Sequence, residues 1–117
     1  MGNFRELKIW QEAKNLAVDV YKITGNGQFD KDYGLKDQIR RAAVSISSNI
    51  AEGDERNSNK EAIRFLYIAN GSLAEVISQL HIALDIGYID KENFHTLIQR
   101  LETLSKQIKS LIKYRNK

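Results

Sequence analysis

The chain has 117 residues and a formal net charge of +3, which suits one domain spanning residues 1–117 and excludes a second of ordinary size. A hydrophobic content of 42% excludes a disordered chain, and the lack of cysteine excludes disulfides, thiolate nucleophiles and cysteine-ligated zinc. The absence of proline favours helix throughout, and with no apolar signal segment at the start we expect a cytoplasmic protein.

The first predicted helix begins at Asn3, which can form a capping box with Glu6. Its apolar positions repeat three and four residues apart at Trp10, Ala13, Ala17 and Val20. The pattern stops near Gly25, where a helix commonly ends. We predict a plain loop from there to Asp32.

The second predicted helix runs from about Tyr33 to Gly53. One face carries Leu35, Ile39, Ala42, Ile46, Asn49 and Gly53. Many of its other residues are alanine or serine, whose small side chains let a neighbouring backbone approach closely.

Two further helices follow the same rules. Ser58 and Glu61 form a capping box for the third helix, which is predicted to end at Gly87. Its seam positions are Ile63, Leu66, Asn70, Leu73, Ile77, Leu80 and Leu84. Asp90 can cap the fourth helix, whose apolar positions are Leu97, Leu101, Leu104, Ile108 and Leu111. Four helices with short connections predict an all-α, antiparallel up-down-up-down four-helix bundle.

The third helix has more apolar surface than one bundle core needs. Large apolar residues also lie outside its seam, namely Phe65, Ile68, Ile82 and Ile86. Glu75 is the only charged residue between Phe65 and Leu84. A membrane span is excluded because several polar residues interrupt the segment. We therefore expect a homo-oligomer interface on this face, the alternative being ordinary scattered surface hydrophobes.

Metal and acid–base chemistry have one candidate, the Glu92-x-x-His95 tetrad at the start of the fourth helix. The tetrad stands alone, and a solvated first turn with a favourable acidic residue explains it better. His81 flanks the third seam and is interpreted as a bundle-edge residue. We expect no enzyme activity, no metal and no cofactor.

Two polar residues, Asn49 and Asn70, occupy seam positions among the apolar residues. A buried amide without a hydrogen-bond partner would be costly there. We expect a structural polar network that fixes the arrangement of the helices. Its members are Arg41, Asn49, Glu52, Asn70 and Glu75. A catalytic use of Glu52 with Glu75 is the alternative.

Basic residues form two clusters, one on the second helix and one near the chain end. The first comprises Lys36, Arg40 and Arg41, and the second comprises Lys106, Lys109, Lys113, Arg115 and Lys117. Such clusters bind the phosphates of RNA or DNA without reading bases. The alternative is a protein-only assembly in which these charges maintain solubility.

Residues 38–53, QIRRAAVSISSNIAEG, resemble the signature of the four-helix-bundle proteins encoded in intervening sequences of bacterial 23S ribosomal RNA genes. Residues 69–75, ANGSLAE, fit the same pattern, as do Gly34-Leu35 and the earlier Leu7, Trp10 and Ala13. That family looks related to the accessory variability determinant of diversity-generating retroelements, a basic homopentamer that associates with a reverse transcriptase and nucleic acid. The resemblance implies a bacterial source, a pentamer and a nucleic-acid partner.

Overall fold

The structure, a computed structural model, describes residues 3–117, which contain five α-helices and one short 3-10 helix. The 3-10 helix is Phe4–Glu6, and the α-helices are α1 (Lys8–Thr24), α2 (Gly27–Lys31), α3 (Tyr33–Asp54), α4 (Asn59–Asp85) and α5 (Lys91–Arg115). No strand occurs within this part of the chain. The all-α prediction is confirmed.

The four long helices pack side by side into a bundle measuring 45 × 20 × 20 Å. Helix α3 contacts α1 and α4, while α5 contacts α4 and α1, and the contact between α3 and α4 is the most extensive. The start of α3 meets the end of α4 through a hydrogen bond between Asp32 and Tyr88. The end of α3 meets the end of α5 through Asp54 and Arg115. The first contact shows that α3 and α4 run in opposite directions, and the second shows that α3 and α5 run in the same direction.

The first turn differs from the prediction. Asn3 caps the 3-10 helix, where its Oδ1 accepts a hydrogen bond of 3.2 Å from the Arg5 amide. Leu7 is extended and precedes α1 without a side-chain cap. The Gln11 side chain donates a hydrogen bond of 2.8 Å to the Arg5 carbonyl and ties the tighter turn to α1. The predicted capping box on the first α-helix is therefore wrong.

The predicted loop from Gly25 to Asp32 is also wrong, because it contains helix α2. Phe29 is fully buried there and packs against the Tyr88 ring with centroids 5.2 Å apart. One apolar anchor on a five-residue helix leaves no periodicity for sequence analysis to detect. Gly27 has a φ of 58°, a left-handed conformation that glycine adopts without steric cost.

The predicted starts of α4 and α5 and the predicted end of α4 are confirmed. Ser58 Oγ accepts a hydrogen bond from the Glu61 amide at 3.2 Å, and Asp90 Oδ1 accepts one from the Asn93 amide at 2.7 Å. Gly87 follows α4 with a φ of 83°. The Tyr88 amide bonds to the Ala83 carbonyl at 2.8 Å, which gives this end the hydrogen bonding of a Schellman motif.

The core face of α4 is rotated from the predicted seam. Its buried apolar residues are Ala62, Leu66, Ala69, Leu73, Val76, Leu80 and Ala83. The other predicted seam positions, Ile63, Asn70, Ile77 and Leu84, are only half-buried. Ala62 lies against Gly53 of α3, and small side chains at the buried positions of α4 permit this close packing. No helix in residues 3–117 is long and apolar enough to cross a membrane.

Candidate nucleic-acid surface

A row of lysines lies on the exposed side of α5. Lys106, Lys109 and Lys113 are exposed and spaced three and four residues apart, so they share one side of the helix. Lys117 follows at the same spacing, just beyond the last residue of α5. These four residues, here called the lysine stripe, extend over about 16 Å at 1.5 Å per residue. Within residues 3–117 none of them forms an ion pair.

Arg115 belongs to the same cluster by sequence but serves mainly to join helices. Its Nη2 lies 3.7 Å from Asp54 Oδ1, and its Nη1 donates a hydrogen bond of 3.4 Å to Asn59 Oδ1. The Asp54 side chain is only 7% exposed. Arg115 therefore holds the end of α5 against the turn between α3 and α4.

The basic cluster on α3 is largely used within the chain. Lys36 Nζ donates a hydrogen bond of 3.1 Å to Asp30 Oδ1, an ion pair with α2. Arg40 Nε donates one of 2.7 Å to Thr24 Oγ1, and its guanidinium lies 4.3 Å from the Tyr21 ring centroid on α1. Arg41 alone of the three is exposed.

The two predicted basic clusters lie at opposite ends of the bundle. Residues 36–41 are near the start of α3, whereas the lysine stripe is near the end of α5, beside the end of α3. The bundle is 45 Å long. The two clusters of one chain therefore do not form a continuous surface.

Charge is distributed unevenly between these ends. The end that carries the lysine stripe comprises residues 3–8, 52–64 and 106–117, as the packing of Leu7 beside Asp54 and Arg115 shows. It contains ten basic and five acidic residues. Fields of this kind attract anionic ligands and raise their rate of association. This end is the candidate nucleic-acid surface.

The predicted polar residues form separate contacts. Asn49 Nδ2 donates to Ser45 Oγ at 2.9 Å, and Ser72 Oγ donates to the same oxygen at 2.8 Å, which links α3 to α4. Asn70 Oδ1 accepts a hydrogen bond of 2.8 Å from Ser105 Oγ and links α4 to α5. The Asn49 amide thus bonds within α3, whereas the Asn70 amide joins two helices.

The charged members of the predicted network lie elsewhere. Glu52 pairs with Arg56 at 2.7 Å on the surface. Arg41 and Glu75 line one groove of about 480 Å³ between α3 and α4, yet they form no ion pair in the described part of the chain. Gln79 borders this groove with 9% exposure, and its buried Oε1 has no hydrogen-bond partner within residues 3–117.

The apolar residues predicted as an interface lie on α4, in line with the groove residues Ser72, Glu75 and Gln79. Ile68, Ile82 and Ile86 are 40–52% exposed, and Phe65 is half-buried beneath the guanidinium groups of Arg56 and Arg64. Seven-residue spacing aligns Ile68 with Glu75 and Ile82, and Phe65 with Ser72, Gln79 and Ile86. These two adjacent columns, here called the α4 flank, face α3 and the solvent beside it.

The histidines surround an aromatic residue. The rings of His81 and His95 meet Phe94 edge-on at centroid distances of 4.9 and 5.5 Å, and both histidines are exposed. Within the described residues no group of three or more histidine, cysteine, aspartate or glutamate side chains is placed to hold a metal ion.

One polar contact escaped the sequence analysis. Arg100 on α5 donates two hydrogen bonds to Glu12 Oε1, at 3.0 and 2.9 Å, and a third of 2.6 Å to Asp19 Oδ2. Partial burial alone would lower the pKa of Arg100, but the hydrogen bonds and charges of the two carboxylates outweigh it and raise that pKa. The sequence signal for this contact was the seven-residue spacing of Glu12 and Asp19, which places both carboxylates on one side of the helix.

The comparisons with known proteins agree with the fold. The family model described as 23S rRNA-intervening sequence protein matches residues 5–110. A crystal structure of a protein of unknown function from the S23 ribosomal protein family of Bacteroides thetaiotaomicron is 27% identical, with a TM-score of 0.83. The alignment covers 90% of this chain and 98% of that one. No curated protein matches the sequence. The chain belongs to the 23S rRNA-intervening sequence protein family.

Proposed function

We propose that this chain is a non-enzymatic, homo-oligomeric scaffold that binds RNA or DNA through phosphate contacts. The observation that carries the proposal is the lysine stripe, whose ammonium groups are exposed and form no ion pair within residues 3–117. Lysines of this kind release condensed counterions when they bind phosphates, and that release drives association without reading the base sequence.

The charge distribution at the bundle end that carries the lysine stripe also favours RNA or DNA as the ligand. The acidic side chains near the stripe are partly neutralised inside the chain, since Asp54 faces Arg115 and Glu52 pairs with Arg56. Glu102, one turn before Lys106, is the only acidic residue in the last sixteen. A polyanion can therefore approach the stripe with little local repulsion.

Self-association is the second part of the proposal and rests on the α4 flank. Exposed Ile68, Ile82 and Ile86 lie on the same helix as Glu75 and Gln79, which line the groove with Arg41. Within the described chain Arg41 and Glu75 form no ion pair, and the buried Gln79 Oε1 accepts no hydrogen bond. A second copy placed there would cover the isoleucines and could supply partners for all three polar groups. The resemblance to the retroelement accessory protein favours a ring of five, in which repeated stripes would bind with avidity.

Charge reversal tests nucleic-acid binding. The variant Lys109→Glu/Lys113→Glu should bind a labelled oligonucleotide at least about tenfold more weakly at low salt, whatever its sequence. Lys22→Glu/Lys91→Glu is the matched control, since it changes net charge equally at the opposite end of the bundle. Equal losses in both variants would indicate a response to net charge alone and would refute the lysine stripe as the binding surface.

Light scattering tests self-association. The protein should have a mass of at least twice the 13.4 kDa of one chain. Ile68→Glu should reduce it to a monomer because the interface would bury an unpaired charge. Asn15→Glu on the exposed side of α1 is the control and should leave the assembly intact. A wild-type monomer that still binds nucleic acid would refute the oligomer and retain the binding function. An oligomer that binds none at low salt would instead support a protein-only assembly.

A further inference from the structure

Tyr114 is an exposed aromatic residue inside the basic surface. Its side chain is 67% exposed on the last turn of α5, between Lys113 and Arg115. The Lys117 ammonium lies 5.2 Å from its ring centroid. An aromatic ring with this exposure contributes little to the core, and among exposed lysines it is available to a ligand that has an apolar face as well as a negative charge.

A groove of about 560 Å³ adjoins this ring and is lined by Asn59, Tyr114, Arg115 and Lys117. It combines an aromatic face, an amide and two cationic groups. Lys117 suits a phosphate, the Tyr114 ring suits the flat face of a nucleobase, and the Asn59 amide can hydrogen-bond a base edge. The groove thus offers complementary groups for one nucleotide unit.

We propose that Tyr114 stacks on an unpaired nucleobase and that the ligand of the lysine stripe is therefore single-stranded RNA or DNA. This inference rests on the proposed function and specifies its ligand. Inside a duplex both faces of each base are covered by neighbouring base pairs, so an exposed tyrosine gains a stacking partner only from an unpaired base. Phosphate contacts from lysines alone would not distinguish a single strand from a duplex.

The Lys117 side chain does not block this contact. Lys117 lies beyond the last residue of α5, and its four-carbon stem is flexible. Its ammonium can leave the ring and pair with the phosphate of the nucleotide whose base takes its place. The cation–π contact of the unbound protein is thereby exchanged for an ion pair and a stacked base.

Tyr33 provides a comparison within the same chain. It is 70% exposed, and the Lys36 ammonium lies 4.9 Å from its ring centroid, much as Lys117 lies over Tyr114. Lys36 is paired with Asp30, however, and Tyr33 lies at the end of the bundle away from the lysine stripe. The two tyrosines therefore share an overlying lysine, and what marks Tyr114 is the row of exposed lysines on one side of its own helix.

The experiment measures affinity at low salt for fluorescently labelled oligouridylate, oligothymidylate and a DNA duplex of matched length. Tyr114→Ala should weaken binding of the single strands about tenfold, the effect of losing one stacked base, and change duplex binding less than about twofold. Tyr114→Phe should retain single-strand affinity because it keeps the ring. Tyr33→Ala should bind like the wild type. Comparing the two single strands shows whether RNA or DNA is preferred.

Two results would overturn the inference and separate it from the proposed function. Equal binding by Tyr114→Ala and wild type, with binding abolished by Lys109→Glu/Lys113→Glu, would refute stacking while keeping the phosphate-binding scaffold. Equal weakening by Tyr114→Ala and Tyr33→Ala would also refute it. If the wild type binds none of the three probes, both the inference and the nucleic-acid function fail.

Discussion

Arg100 on α5 donates a hydrogen bond of 2.6 Å to Asp19 on α1, one of the contacts that join the last long helix to the first. Two further hydrogen bonds from its guanidinium reach Glu12, one heptad earlier on α1. Among the four contacts between neighbouring long helices, that between α1 and α5 is the least extensive. A planar guanidinium that holds two carboxylates is therefore important for closing the bundle.

Replacing Arg100 with alanine should lower the free energy of unfolding by about 1–2 kcal/mol, because three charge-assisted hydrogen bonds are lost from groups that remain partly solvated. Arg100→Lys should recover only part of this, since an ammonium cannot reproduce the forked geometry. Urea denaturation of the three proteins measures the difference. Equal stability of wild type and Arg100→Ala would show that the contact is unimportant.

Replacing a glycine by alanine should change the stability of the protein in opposite directions in α3 and α4. A Cβ on Gly53 would lie 3.1 Å from the Ala62 carbonyl oxygen and 3.2 Å from Phe65 Cβ, at the tight turn between the two helices. Gly53→Ala should therefore destabilise the protein by about 1–3 kcal/mol through overpacking.

Gly71 is the matched control because it lies within α4, and beyond the backbone of its own helix turn an added Cβ would meet nothing within 4 Å. Gly71→Ala should stabilise the protein by about 0.5–1 kcal/mol through higher helix propensity. Thermal denaturation checks both signs. A stabilising Gly53→Ala would contradict the close approach of α3 and α4.

Alkaline stability should depend on Tyr88. Its hydroxyl donates a hydrogen bond of 2.9 Å to Asp32 Oδ2, and this bond, aided by partial desolvation and the Asp32 charge, raises the pKa of Tyr88 above its usual 10.0. A raised pKa in the folded state means that the stabilisation is complete below the unfolded pKa. It is lost as pH rises through the folded value.

The stability of the wild type should therefore fall more steeply above about pH 10 than that of Tyr88→Phe, which has no proton to lose at this position. Midpoints of urea denaturation measured across this pH range isolate the difference, since the other tyrosines titrate in both proteins. Parallel curves would indicate that the Tyr88–Asp32 bond does not contribute to stability.

Much of the helical framework was predictable from the sequence because its signals are local. Ser58, Asp90 and Gly87 mark helix ends through hydrogen bonds and backbone conformations that involve residues only a few positions away. Four core residues of α5 were found for a similar reason, since Leu97, Leu101, Leu104 and Ile108 repeat regularly. The fifth predicted position, Leu111, is only half-buried, and Ile112 is buried instead.

Contacts between distant residues were not predictable in the same way. Lys36 and Arg40 looked available for phosphates, but their partners Asp30, Thr24 and Tyr21 come from other helices. The lysine stripe was easier to recognise because it lies opposite the regular apolar positions of α5. The rotation of α4 depends on how closely its alanines approach α3, which a heptad count does not contain.

The dependence of oligonucleotide affinity on salt tests the central claim most directly. If the four lysines of the stripe each neutralise one phosphate of a single strand, the logarithm of affinity should fall against the logarithm of salt with a slope of about −2.8. Lys109→Glu/Lys113→Glu should make this slope shallower by about 1.4 units, because two phosphate contacts are lost. Absence of binding at low salt, or an affinity that does not change with salt, would contradict the account.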